Sequence, residues 1–141
     1  MSVDGIEMNF ALNYLAYFLL ATRLVGSLGR SGAGRIVNVA AEIHRGAVVD
    51  FADLFMERDY DPILAFRRSK FCVVAFTHEY SDVAPSAAGA RLPLHLATST
   101  EIAGVSGAYF VGSEPVRADD ATYDLEITAR LWERSEALVA S

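Results

Sequence analysis

The feature that most constrains this chain is the run FALNYLAYFLLAT, residues 10–22. Met8, Ala11, Leu12, Leu15, Phe18 and Leu19 make a helix over residues 5–28 apolar almost all round. A helix of that kind is expected to lie sandwiched between other layers. A membrane span needs about 20 apolar residues, and Asn13 interrupts this run. The expectation is therefore a buried helix with no membrane span. The first ten residues carry Asp4 and Glu7 and no basic start, so no secretory leader is expected and a cytoplasmic chain follows. The remainder of 141 residues must supply the covering layers, enough for one domain with a real core.

Composition agrees with a folded chain. Apolar residues are 52% of the total and mean hydropathy is +0.26, which argues against disorder. A net charge of −6 argues against a nucleic-acid binder, which needs phosphate-neutralising Lys and Arg. The single cysteine, Cys72, lies in an apolar run, which excludes an internal disulfide and predicts a buried, inert thiol. His78 and His95 have no ligand partners at metal spacing, so no metal is expected.

After the first helix, GRSGAG (residues 29–34) breaks the pattern. RIVNVA (residues 35–40) is β-branched with little alternation, as expected of a strand buried on both faces of a parallel sheet. Residues 42–61 are polar and acidic, with a short turn expected around residues 51–56. Asp61 suits a helix cap and Pro62 a first helical position, starting a second helix that should reach about Tyr80. Residues 81–90 have linker composition, residues 92–99 read as a short helix, and residues 107–116 as a strand entering a loop. Residues 119–139 read as an amphipathic helix. The alternation of helix and strand predicts an α/β fold with few parallel strands packed by long helices. GRSGAG follows a helix and precedes a strand, the reverse of a phosphate-binding turn.

Within ILAFRRSKF (residues 63–71), Phe66 and Lys70 lie four apart and share one helix face. This block, in FADLFMERDYDPILAFRRSKFCVVAFTHEY, comes after DGIEMNFALNYLAYFLLATRL and GRIVNVAAEIHRG. It is followed by LHLATSTEIAGVSGAYFVGSEPV and ARLWERSEALV. In that order the blocks resemble the short-chain dehydrogenases/reductases, in their retinol-dehydrogenase-like and WW-domain-oxidoreductase-like branch.

The resemblance implies a partial Rossmann-like fold, the C-terminal half of the family domain. Residues 1–141 are then a single domain lacking the N-terminal dinucleotide-binding half and the sixth-strand and Pro-Gly block. It also implies roles. Asn13 matches the family's helix asparagine, which maintains a water-linked relay, and Lys70 the lysine that lowers the tyrosine pKa and holds the nicotinamide ribose. The catalytic serine position is Ala41 and the catalytic tyrosine position is Phe66. An alanine has no hydroxyl to orient a carbonyl, and a phenylalanine has no proton to give. No cofactor is expected, and NAD(P) enters only by family resemblance, as does any cofactor role of Lys70. In the family, helices equivalent to residues 5–28 and 62–80 build a four-helix dimer interface, so a homodimer is the expected partner. The strand at residues 35–40 loses both family neighbours, and Tyr109–Val111 is the neighbour expected to be drawn in beside it.

Three functions are compatible with these residues. The first is a non-catalytic dimeric binding or regulatory module, or a gene remnant. The second is a redox-neutral enzyme (cyclisation, isomerisation or dehydration) built on Lys70, Asn13, Glu42 and His44, with Arg45 beside them. The third is ordinary NAD(P)-dependent oxidoreduction, which rests on the resemblance alone. Tyr60, before Asp61, replaces the missing phenol only if its loop folds back over the helix.

Overall fold

The computed structural model of the chain describes residues 1–30, 34–81, 104–112 and 114–140. The expected linker at residues 81–90, beyond its first residue, the expected helix at residues 92–99 and His95 lie outside them.

The chain enters its first helix at a carboxylate. Glu7 is buried, and its Oε2 accepts the Phe10 backbone N–H at 2.7 Å. Asn9 Nδ2 and the Tyr60 hydroxyl donate to Oε1, each at 3.1 Å, which compensates the burial of the charge. A wide π-helical turn follows at Phe10–Leu15, then α1 at Ala16–Arg30. Gly34 passes so close to the end of α1 that a Cβ there would meet the Leu28 carbonyl oxygen at 2.5 Å. That close approach gives the glycine a packing role.

The second helix, α2 at Pro62–Ser81, forms as the sequence predicts. Asp61 Oδ1 accepts the N–H groups of Ile63 and Leu64 at 2.7 and 3.0 Å, satisfying two donors of the first turn. From Ser69 to Thr77 every residue of α2 is buried. This helix is the sandwiched one. The expectation that the first helix would be enclosed is corrected, because one of its faces has no layer over it. Met8, Leu12, Leu20 and Leu24 recur at multiples of four, and Leu12 and Leu20 are 62% and 60% exposed. The opposite face supplies Tyr14 and Phe18 to the core.

A third helix, α3 at Leu125–Ala140, closes the core from the far side of the chain. Phe18 meets Phe76 and Trp132 at centroid distances of 5.3 and 5.1 Å, and Trp132 stacks on Tyr80 at 5.9 Å. The Tyr14 hydroxyl pairs with Ser135 Oγ at 2.6 Å, and the Tyr80 hydroxyl donates to the Ala21 carbonyl at 2.9 Å. Each buried phenol therefore has a partner.

The sheet differs from the expected one in detail. Strands β1 (Tyr109–Val111) and β2 (Glu114–Val116) form an antiparallel hairpin, with Tyr109 opposite Val116 and Phe110 opposite Pro115. Gly112, at φ +59°, provides the turn. Residues 34–41 belong to no strand among the described residues, so the expected strand and its parallel ladder are corrected to an irregular segment. The sheet among the described residues takes β1 and β2 alone, and no ladder joins residues 34–41 to the other edge of β1. Val37 packs against Phe110, and Ala40 against Tyr109, through side chains alone. The α/β, partly Rossmann-like class stands, with helices dominating.

Candidate functional site

The lysine–phenylalanine face of α2 is built as its spacing predicts. Lys70 is 8% exposed, and its Nζ lies 5.7 Å from the centre of the Phe66 ring. Nζ donates to the Val39 carbonyl at 3.0 Å, on the segment at residues 34–41. The ion pairs among the described residues do not include it. Burial lowers its pKa from the ordinary lysine value, because desolvation disfavours the charged amine.

Asn13 sits inside the π-helical turn, a distortion that recurs at functional positions in helices. Its Nδ2 donates to Asn9 Oδ1 at 3.3 Å and to Ser69 Oγ at 3.2 Å, and Ser69 Oγ donates to the Phe66 carbonyl at 2.7 Å. The asparagine thus reaches the residue beside Lys70 and not the amine itself.

The polar trio after that segment folds into a tight turn, Glu42–His44, capped by Ala41 in extended backbone. Glu42 Oε1 accepts the Tyr109 hydroxyl at 2.7 Å, and Oε2 accepts Arg45 Nε at 2.9 Å. The Arg45 hydrogen bond, then the Tyr109 one, holds the Glu42 carboxyl below its usual range. Burial and the same carboxylate push the Tyr109 phenol up. Arg45 also donates to the Arg117 carbonyl at 2.9 Å, and Arg67 clamps the turn through the carbonyls of Ile43 and Arg45 at 3.1 and 2.7 Å.

His44 is fully buried with both ring nitrogens engaged. The Asp119 backbone N–H donates to Nε2 at 3.2 Å, so the proton lies on Nδ1, 2.8 Å from the Ala41 carbonyl. Asp119 in turn accepts the Gly46 N–H at 2.7 Å and the Ala121 N–H at 3.0 Å. The Gly46 bond is the main cause of its lowered pKa.

Two groups emerge: Asn13, Ser69, Phe66 and Lys70 along the helices, and Glu42, His44, Arg45, Tyr109 and Asp119 around the turn. α2 reaches toward the second group through Lys70 on Val39, two residues before Ala41, and through Arg67 on the turn. Tyr60 is tied to Glu7 and brings no phenol to this place. Cys72 is fully buried with its thiol pKa pushed up by burial. His78 bonds the Gly107 carbonyl and stacks on Tyr123 at 4.0 Å. No cluster of metal-ligating side chains occurs among the described residues. Sequence reasoning missed Ser69, Arg67, Tyr109 and Asp119. Tyr109 lies 67 residues from the carboxylate it holds, and no local pattern announces such a pair.

No protein-family model matches the chain. Retinol dehydrogenase 14 from Homo sapiens is 28% identical to it over 178 positions, covering 96% of this chain and 53% of its own. Retinol dehydrogenase 13 from Mus musculus is 30% identical over 181 positions, covering 96% and 54%. The chain spans about half the length of these curated relatives. Both alignments run over more positions than this chain has residues, so each relative carries residues inside the matched span with no counterpart here. The solved structure of an uncharacterized protein from Mycobacterium paratuberculosis superposes with a TM-score of 0.76 at 24% identity. It covers all of this chain and 62% of its own, a likeness of fold.

Proposed function

We propose, from the premise that this chain belongs to the short-chain dehydrogenase/reductase family, that it is a dimeric binding or regulatory module and not a dehydrogenase. The observation that carries this reading is the pair of lost hydroxyls around a retained amine. Lys70 faces the bare ring of Phe66, and the serine position offers only the methyl of Ala41. Either loss alone would remove orders of magnitude of rate from a proton relay.

NAD(P), the cofactor the family implies, does not fit the residues present. The amine that would hold the nicotinamide ribose is directed onto Val39 and shielded. Titration with NADPH, followed by fluorescence or calorimetry, should give no saturable signal. Micromolar binding would sink the proposal. Ala41→Ser combined with Phe66→Tyr should remain inactive.

The dimer is proposed through the uncovered face of the first helix, Met8, Leu12, Leu20 and Leu24, together with Ile63 and Leu64 at the start of α2. Sedimentation should give a dimer that Leu12→Glu with Leu20→Glu converts to a monomer. By length and hydropathy Phe10–Arg30 is able to cross a membrane. Its inner face, though, is occupied by the aromatic core, and we place the chain in the cytoplasm. Flotation with lipid vesicles would contradict that.

The lowered pKa of Lys70 supports a second reading, in which the amine serves as a base in redox-neutral chemistry. Both nitrogens of His44 are engaged, so in this reading Lys70 acts without it. An activity unchanged in Lys70→Met would end it.

A further inference from the structure

A cleft of about 510 Å³ lies between residues 4–6, the first helix and the end of α3, and it shares no residue with either group of the candidate site. Leu15, Leu19, Phe55, Leu138 and Val139 give it apolar walls. Leu15 belongs to the main core, and Phe55, Leu138 and Val139 pack against that core while staying half-buried. Ala11 and Ala16 contribute one methyl each, which leaves room that larger side chains would fill. Small-molecule sites span about 300–1,000 Å³ and are mostly apolar with a few polar groups. The charged residue on this lining is Asp4, and among the described residues no lysine or arginine joins it. The Asp4 carboxylate is exposed and enters none of the ion pairs among the described residues. The last turn of α3, which supplies Leu138 and Val139, holds no basic side chain. The negative end of its helix dipole is therefore not offset from within the helix.

We infer that this cleft binds an amphipathic cation, a small molecule with an apolar body and a protonated amine. The walls take the apolar body, and each methylene moved from water onto them tightens binding by about fourfold. The amine sits at the rim, where Asp4 and the end of α3 attract positive charge and repel a carboxylate. Glu7, next to Ile6, takes no part, because its two oxygens already accept from Phe10, Asn9 and Tyr60. An exposed pair of charges is weak. The apolar walls therefore set the affinity, and Asp4 sets the choice of head group. The inference rests on the reading of the chain as a binding module and names a ligand class for it. Its test reads neither cofactor binding nor the dimer, so either idea can fail alone.

The test is titration of the full chain with octylammonium at neutral pH, below its micelle concentration, followed by amide NMR shifts and calorimetry. Saturable shifts should appear at Ala11, Leu15, Leu19 and Val139. Hexylammonium, shorter by two methylenes, should bind about tenfold more weakly. Octanoate, with a similar body and the opposite head, should bind at least about fivefold more weakly. Asp4→Asn should cut that preference to about half or less, and the change of an exposed side chain should leave the thermal midpoint where it was. Ala16→Phe, which fills the cleft, should weaken every ligand. Should this variant misfold, the comparison of octylammonium with octanoate still tests the wild-type chain. Octanoate binding as tightly as octylammonium would overturn the inference, as would an unchanged preference in Asp4→Asn. So would shifts confined to Met8, Leu12, Leu20 and Leu24, or no saturable shift at all. Cleft shifts that follow the chain's own concentration would assign the cleft to a second copy and overturn the proposed ligand.

Discussion

Helix α2 and the segment at residues 34–41 lie side by side and differ in how their backbones are bonded. The helix carries its hydrogen bonds within itself, is capped by Asp61 and is wrapped by an aromatic layer from α1 and α3. The segment has side chains that suit a strand, yet among the described residues it joins no ladder. A strand's bonds belong to the pair, whereas a helix's belong to the element. The helical frame therefore stands on its own bonds, while the sheet among the described residues is a single hairpin. The candidate site follows a segment that no ladder fixes. What holds it instead is a set of side-chain staples, His44, Arg67, Tyr109 and Asp119.

The largest effect should separate the two regions directly. Phe76 touches Tyr14, Phe18, Tyr80 and Trp132, so Phe76→Ala should cost about 3–5 kcal/mol. In urea denaturation that is enough to leave the chain largely unfolded. Val37→Ala, on the unpaired segment, should cost less than about 1 kcal/mol. Equal losses would abolish the contrast, since they would mean that the segment is as tightly built as the core.

His44→Ala probes the staples. It removes a fully buried ring, strands the Asp119 N–H and leaves the Ala41 carbonyl only its backbone donor, so a loss of about 2–3 kcal/mol is expected. His44→Phe should recover part of the packing and none of the bonds. A loss under about half a kcal/mol would show that the turn is held by the outer residues alone.

These expectations also mark what was legible in the sequence. The cap at Asp61, the extent of α2 and the Phe66–Lys70 face depend on residues within a few positions of one another, and a pattern can state them. That the first helix would be left bare on one side is not a local property. An all-round apolar helix looks enclosed whether or not the covering layer exists. The pairing of residues 35–40 failed for the same reason, because the partner strand is a fact about the rest of the molecule. Tyr109 on Glu42 and Asp119 on His44 are long-range contacts with no spacing to betray them. His44 belongs with them, since a polar trio in a loop looks solvated until its buried partners are known.

A smaller effect tests whether Asp119 fastens the turn. Its folded-state pKa is lowered, chiefly by the Gly46 N–H, so its contribution is present above the ordinary carboxylate value of about 3.9. That contribution is lost as pH falls through the lowered folded value. Asp119→Asn should cost about 1 kcal/mol or less at neutral pH. Acid unfolding followed by circular dichroism should also lose part of its steepness in the variant. An unchanged acid limb would remove Asp119 from the staples.

The smallest effect concerns Lys70, where the two regions touch. Burial lowers its pKa in the folded chain, so the folded state holds fewer protons there than the unfolded state. Stability then rises with pH from the lowered value up to about 10.4, the ordinary lysine value. Lys70→Met should flatten that alkaline rise. At neutral pH it loses the bond to Val39 and gains relief from a desolvated charge, so the net change should stay within about 1 kcal/mol. A large neutral-pH loss would mean that the Lys70–Val39 bond is what holds the segment against α2. The buried amine would then act as a structural tether between the segment and the helix.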